Sequence, residues 1–307
     1  DLYFTDKRRT VQPKCTKDGF LENNIELYKP FYRKNSPSIY DIFYDNEYLV
    51  VIMSLYPVHA TNFTAISQKI YNSIWYCQPK GTNLKYKNIY KIHDKDYRLK
   101  VLKFPIPSKI ITFSNLTVHV FSPEVHLSFS DIPFCVLPPL PAQSEVPFSI
   151  LCTQQIYTSR IEILDWLIWH LSQGINYAII YVNNENLQKM SVELSEAINE
   201  GYLKLLDWNW PRSTNLQDQV PAEMSCALRN KRRVKWSGFE DVDEILLPLK
   251  NCTVRKVLEQ FDGLRDTIGS IAAVNRFFVS STRYQKVARC SKTVEKHRQK
   301  IFVNPEN

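Results

Sequence analysis

The chain has 307 residues, 44% hydrophobic and 13% aromatic, enough apolar side chain for a sizeable core and for two domains. Seven Gly and 17 Pro exclude a fibrous or low-complexity protein, and the lack of any run of 18 apolar residues excludes a membrane-spanning helix inside the sequence. The 39 Lys and Arg against 31 Asp and Glu give a formal charge of +8, which favours anionic partners, but no nucleic-acid-binding motif accompanies it.

Residues 1–145 are short runs rich in Tyr, Phe, Ile and Val, broken by Pro, Asn and Asp, such as "EYLVVIMSLYP", "SIWYCQP" and "KIITFSNLTVHVF". Such runs predict strands, with no long amphipathic helix, and so a smaller β-rich accessory or stem domain. The prolines of 138–141 read as a linker. From 146 the rhythm changes. Residues 146–152 read as a buried strand. Ser159 followed by Glu162 is a capping-box signature, and Ile161, Leu164, Ile168 and Leu171 recur at helical spacing up to Gly174. Residues 177–184 form the next strand. A helix over 190–201, a strand over 202–210, a helix over 220–233 and a strand over 234–239 follow. This alternation predicts an α/β domain over 146–307, with a mostly parallel sheet, flanking helices and ligands bound at the carboxyl ends of its strands.

At the end of the fourth strand stands "WSGFEDVDEILLPL". Glu240, Asp241, Asp243 and Glu244 interrupt two apolar stretches, the second of which, Ile245–Leu249, reads as buried. The chain turns at a strand end, so Asp241 and Asp243 need not face apart. Paired carboxylates suit a hard divalent cation, and a cation on a diphosphate helps it leave. The plain alternative is a solvated turn. Trp166, Trp169 and Trp236 read first as core, His170 as a surface or satisfied core histidine, and Arg229, Lys231, Arg232 and Arg233 as a solvated helix end.

Seven cysteines (15, 77, 135, 152, 226, 252 and 290) form no CxxC pair and leave the pairing open, and Cys226 reads as buried or disulfide-bonded. Three N-glycosylation sequons begin at Asn62, Asn115 and Asn251. Together they point to a secretory lumen. Without an initiating Met or a signal-like start, the chain reads as a fragment or processed form, with any anchor outside it.

The ordered set of "SILCTQQ", "EILDWLIWHLSQGINYAIIYVNN", "GYLKLLDWNWP", "DQVPAEMSCALRNKRRVKWSGFEDVDEILLP", "SIAAVNRFFV" and "KIFVNPEN" resembles glycosyltransferase family 92, over roughly 147–307. The resemblance implies a GT-A-like fold, the Golgi lumen and a type II membrane anchor. It implies metal-dependent, inverting transfer of a hexose such as galactose from a UDP-sugar to a glycan or glycoprotein acceptor. Asp241 and Asp243 would face Mn²⁺ and the diphosphate. Glu244 would support the site or face the acceptor. Thr153, Gln154, Asn183, Asn184 and Gln219 would lie near the donor. The sequence departs from the family pattern at Ile245, where Phe is usual, at Ser225, where an acid is expected, and in stopping at Asn307. The alternative is a non-catalytic glycan-binding or interaction protein that keeps the fold. The general base stays open among Glu244, Asp262 and Asp266.

Overall fold

The computed structural model describes residues 15–17, 19–20, 38–54, 63–89, 99–111, 116–154, 160–182, 184–208, 219–248, 252–264, 270–274 and 299–303. Asn62, Asn115, Asn251, Ser159, Asn183, Asp266 and Cys290 lie outside them. The chain divides into two compact units, Asp1–Pro139 with Asn209–Pro221, and Leu140–Trp208 with Ala222–Asn307.

In the first unit, β1 (Ser38–Tyr44) and β2 (Leu49–Ser54) form a hairpin. Its turn is set by Asp45, whose carboxylate accepts the N–H groups of Glu47 and Tyr48 at 3.0 and 2.7 Å, with Asn46 at φ 77°. β3 (Tyr76–Pro79), β4 (Tyr86–Lys87), β5 (Leu99–Phe104), β6 (Thr117–Ser122), β7 (Leu127–Pro133) and β8 (Cys135–Val136) complete two four-stranded sheets, ordered β5-β2-β1-β8 and β4-β3-β6-β7. Cys135 is disulfide-bonded to Cys15.

A helix that the sequence reading passed over, α1 (Phe63–Asn72), ends against β5. Its last turn is held from outside. The buried Lys100 ammonium donates to the carbonyls of Ile70, Tyr71 and Ser73 at 2.9, 2.7 and 3.0 Å. All three ammonium protons are used, which lets a charge sit in the core of this unit.

The second unit follows the predicted alternation. Its elements are β9 (Ser149–Gln154), α2 (Arg160–Ser172), β10 (Tyr177–Val182), α3 (Asn184–Glu193), α4 (Ser195–Asn199), β11 (Leu203–Asp207), α5 (Gln219–Arg229), β12 (Trp236–Phe239), α6 (Val254–Glu259), β13 (Ser270–Val274) and β14 (Gln299–Val303). The sheet order is β11-β10-β9-β12-β14-β13. The first four strands are mutually parallel, and β14 is antiparallel to both its neighbours, so the unit is mixed α/β.

Alternation along the strands separates the faces. Leu151, Ala178, Ile180, Val182 and Trp236 join one core cluster with Ile163, Trp166 and Leu167 of α2 and with Val254 and Leu258 of α6. Cys152 and Tyr181 face the other way, toward α5. Cys152 is disulfide-bonded to Cys226, and the Tyr181 hydroxyl donates to Ser225 Oγ at 3.3 Å.

Several details differ from expectation. The 190–201 helix starts at Asn184 and is interrupted at Leu194. The buried stripe of α2 is Ile163, Trp166, Leu167 and His170, while Ile168 is 62% exposed. Leu164 and Leu171 of the expected stripe pack partly buried against the core cluster, so on a helix apolar on most sides the expected face lies beside the buried one. Arg229 is buried, not solvated.

Both helix-ending glycines are left-handed, at φ +88° for Gly174 and +78° for Gly201. At each, the next N–H bonds a carbonyl five residues back, Ile175 to His170 and Tyr202 to Ala197. A Cβ at Gly174 would also lie 2.6 Å from Arg255 Cβ, whereas one at Gly201 meets nothing within 4 Å. Gly201→Ala is therefore expected to cost about 1 kcal/mol, from backbone strain alone, and Gly174→Ala at least about 2 kcal/mol. Urea denaturation of the two variants checks the order, and equal losses would show that Arg255 does not crowd the turn.

Candidate functional site

Four parallel strands end along one edge. In sheet order β9 has β10 and β11 on one side and β12 on the other, so the chain's crossovers leave β9 in opposite directions. Between β9 and β12 the strand order reverses, and at such a point the following loops part and leave a crevice. The residues at this edge come from the ends of β9 and β12.

On β9, Thr153 is buried and Gln154 half-buried. Thr153 Oγ1 and Gln154 Oε1 are both buried and, among the described residues, accept or donate no hydrogen bond. Such orphaned polar atoms are costly unless a ligand or water meets them.

On β12 the register is Trp236↔Ser149, Ser237↔Ile150, Gly238↔Leu151 and Phe239↔Cys152. Carried one residue further, it brings Glu240 level with Thr153, on the face that carries α2. Glu240 is buried there, its Oε1 2.7 Å from His170 Nε2. The His170 Nδ1–H donates to the Trp166 carbonyl at 2.7 Å, and Nε2 also lies 3.2 Å from the N–H of Leu246. Trp169 Nε1–H donates to the Leu246 carbonyl at 3.0 Å. Thus α2 grips both ends of the segment 240–246. His170 is the satisfied core histidine of the sequence reading, with an acidic partner that its spacing did not disclose.

Between these grips the chain turns. The Glu244 N–H donates to the Asp241 carbonyl at 3.0 Å, and the Asp241 N–H donates to Glu244 Oε2 at 2.9 Å. Val242 is buried, Asp243 exposed, and Asp241 and Glu244 intermediate. The turn, rather than a continued strand, frees Asp241 and Asp243 from facing opposite ways. After it, Ile245 and Leu247 are 52% and 53% exposed, so the described part of the run, 245–248, is not the buried segment expected. Of residues 245–248, Leu246, gripped by α2, packs on the core cluster.

The donor set here is oxygen only, which suits a hard divalent cation. Among the described residues no three His, Cys, Asp or Glu side chains gather as a complete cage. Asp241 and Asp243 therefore fit a cation that takes one or two carboxylates and completes its shell with phosphate and water, the habit of Mg²⁺-like ions.

Asn184 opens α3 two residues after β10 ends, at the same carboxyl edge. Gln219 opens α5, in the segment that groups with the first unit. Asp262 pairs with Lys235 at 3.1 Å. Lys235 precedes β12, so this ion pair is at the amino edge of the sheet, opposite the acidic turn, and Asp262 is no base for that turn. Trp166 and Trp236 are core, as expected.

Sequence reasoning missed Asp207, the last residue of β11, paired in register with Val182 at the same carboxyl edge. An acid inside the strand predicted over 202–210 was the available signal. Strands lie about 4.8 Å apart, which sets β11 about 14 Å from β12 across the sheet. Burial raises the Asp207 carboxyl from the ordinary 3.8 to about 6.

A mixed α/β sheet with orphaned polar atoms and an acidic turn at its switch point is an arrangement that suits a ligand at the carboxyl edge. Comparison with known proteins gives the family. The glycosyltransferase family 92 profile matches residues 148–307, and the chain belongs to that family. It is also similar to a glycosyltransferase family 92 protein of Oryza sativa subsp. japonica, 26% identical over 133 residues, 43% of this chain and 22% of the relative. The match thus spans about a fifth of the rice protein's length.

The raised Asp207 carboxyl carries a pH signature. As pH rises from about 4 to about 6, the unfolded chain releases this proton before the folded chain does, so the group lowers stability with rising pH through that window. Asp207→Asn removes the effect. The variant's unfolding free energy relative to the parent is expected to improve by about 1–3 kcal/mol between pH 4 and pH 7. Urea denaturation at both pH values measures it, and a flat difference would show that burial does not hold this carboxyl.

Proposed function

We propose that this chain is a metal-dependent, inverting glycosyltransferase that moves a hexose such as galactose from a UDP-sugar to a glycan or glycoprotein acceptor. The observation that carries this reading is the acidic turn of Asp241 and Asp243 beside Thr153 and Gln154 at the β9/β12 switch point. The order β11-β10-β9-β12 supports a GT-A-like assignment of the second unit, with the first unit as a β-rich accessory or stem domain. Asp241 and Asp243 hold Mn²⁺ through carboxylate oxygens, and Mn²⁺ when bound neutralises the diphosphate of the donor. Thr153 and Gln154 offer their unanswered polar atoms to the nucleotide. Glu244 braces the turn through the Asp241 N–H. In the transfer, an acceptor hydroxyl oxygen bonds to the anomeric carbon, the bond from that carbon to the diphosphate breaks, and UDP leaves. The hydroxyl proton passes to a general base.

Two disulfides, Cys15–Cys135 and Cys152–Cys226, support assembly in an oxidising lumen, in keeping with a Golgi enzyme. No helix among the described residues is long and apolar enough to cross a membrane. The proposed type II anchor therefore belongs to sequence outside those residues.

Thermal unfolding with UDP, with and without Mn²⁺, tests the reading. Free ligand at 100 times its Kd stabilises by about 2.7 kcal/mol, about 5–10 °C in Tm for a domain of this size. The expected upshift requires Mn²⁺ and is lost in Asp241→Ala and Asp243→Ala. No shift at millimolar UDP would overturn the reading. Glycan binding that survives chelation, without any UDP effect, would replace it with a non-catalytic glycan-binding protein.

A further inference from the structure

The last full turn of α2 does more than pack. Trp169 and His170 are adjacent on the helix, yet both reach the segment 240–246, one through Leu246 O, the other through Leu246 N–H and Glu240. The three contacts bracket the acidic turn: Glu240 precedes Asp241 directly, and Leu246 follows Glu244 by two residues. His170 cannot swing freely, because its Nδ1–H is committed to the Trp166 carbonyl inside the same helix. Both members of the His170–Glu240 contact are almost fully buried, with side chains 1% and 2% exposed. A short polar contact in such a place acts as a fixed strut, since moving either partner would strand a polar group in the core.

From this geometry we infer that Trp169, His170 and Glu240 are positioning residues that preset the backbone of the turn, and with it the separation of Asp241 and Asp243, before any ligand arrives. The inference rests on the reading of that turn as the Mn²⁺ and diphosphate site, but the positioning has a readout of its own. Neighbouring carboxylates on a turn repel one another, and holding the turn in one shape raises affinity by removing the ordering step from binding. Residues that orient metal ligands without touching the metal typically change its affinity 10–100-fold.

The test uses the full chain and two measurements. The first is amide hydrogen exchange of Asp241–Leu246 without ligand. The second is the Kd for Mn²⁺ in the presence of UDP, by calorimetry. Trp169→Phe keeps the six-membered ring but removes the Nε1–H, so folding should survive. It is expected to speed exchange in 241–246 at least fivefold, leave exchange in β9 and β10 unchanged, and weaken Mn²⁺ binding at least fivefold at similar Tm. Glu240→Ala should do the same or more. Glu240→Gln, which keeps the side-chain shape and a polar atom against His170 Nε2, should restore both readouts. A purely structural role would lower Tm in these variants without moving Kd in the folded fraction, and that result overturns the proposal. So does unchanged exchange in both Trp169→Phe and Glu240→Ala. If the parent itself binds no Mn²⁺ with UDP, the function proposed above falls, and the exchange measurement alone then decides whether α2 holds the turn.

Discussion

Everything distinctive about the second unit depends on the parallel register between β9 and β12. Four consecutive pairs, Trp236 with Ser149 through Phe239 with Cys152, fix which face each later residue takes. Slip that register by one residue and the alternation inverts. Glu240 would leave the α2 face and lose His170. Val242 would exchange its buried place with an acid. The acidic turn is therefore a downstream product of apolar pairing within the sheet, and its charge is tolerated because the apolar residues on either side have already decided where it goes.

Much of the fold can be read directly from the residues, and the reasons are physical. Gly174 and Gly201 occupy left-handed turns, so the ends of α2 and α4 were visible. The apolar runs of β9 and β10 are buried on both faces and carry no polar alternation, which marks a parallel sheet covered on two sides. The acidic cluster was visible because nothing else in the chain sets four carboxylates against a strand end. What escaped was of another kind. The buried stripe of α2 was read partly out of phase because the helix is apolar almost all round. Ile245 and Leu247 read as core, but two hydrogen bonds from α2 fix Leu246 as the inward residue and turn its neighbours out. The partnership of His170 with Glu240 joins residues far apart in sequence, and no local pattern announces it. The pairing of Cys152 with Cys226 is hidden for the same reason.

A common logic answers the buried polar side chains of both units. In the first, Lys100 enters the core because the end of α1 presents three carbonyls that its ammonium can satisfy together. In the second, the ring of His170 enters beside Glu240, with its Nδ1–H answered by the Trp166 carbonyl and its Nε2 facing the Leu246 amide. In each case a polar side chain from one element meets the backbone of another at a helix end or turn, where regular structure leaves groups unpaired. Such contacts depend on direction, unlike apolar packing, and so fix the relative placement of the elements they join within each unit.

The position of β14 bears on how the protein is made. β12 borders β9 on one side and β14 on the other, although β14 is encoded well after it. During synthesis β12 can pair with β9 as soon as it emerges, but its second edge stays open until residues 299–303 arrive. An open strand edge is a template for the wrong partner, and nascent chains are crowded with candidates. The strand that carries the acidic turn thus has its second edge closed by the last strand of the sheet to be made.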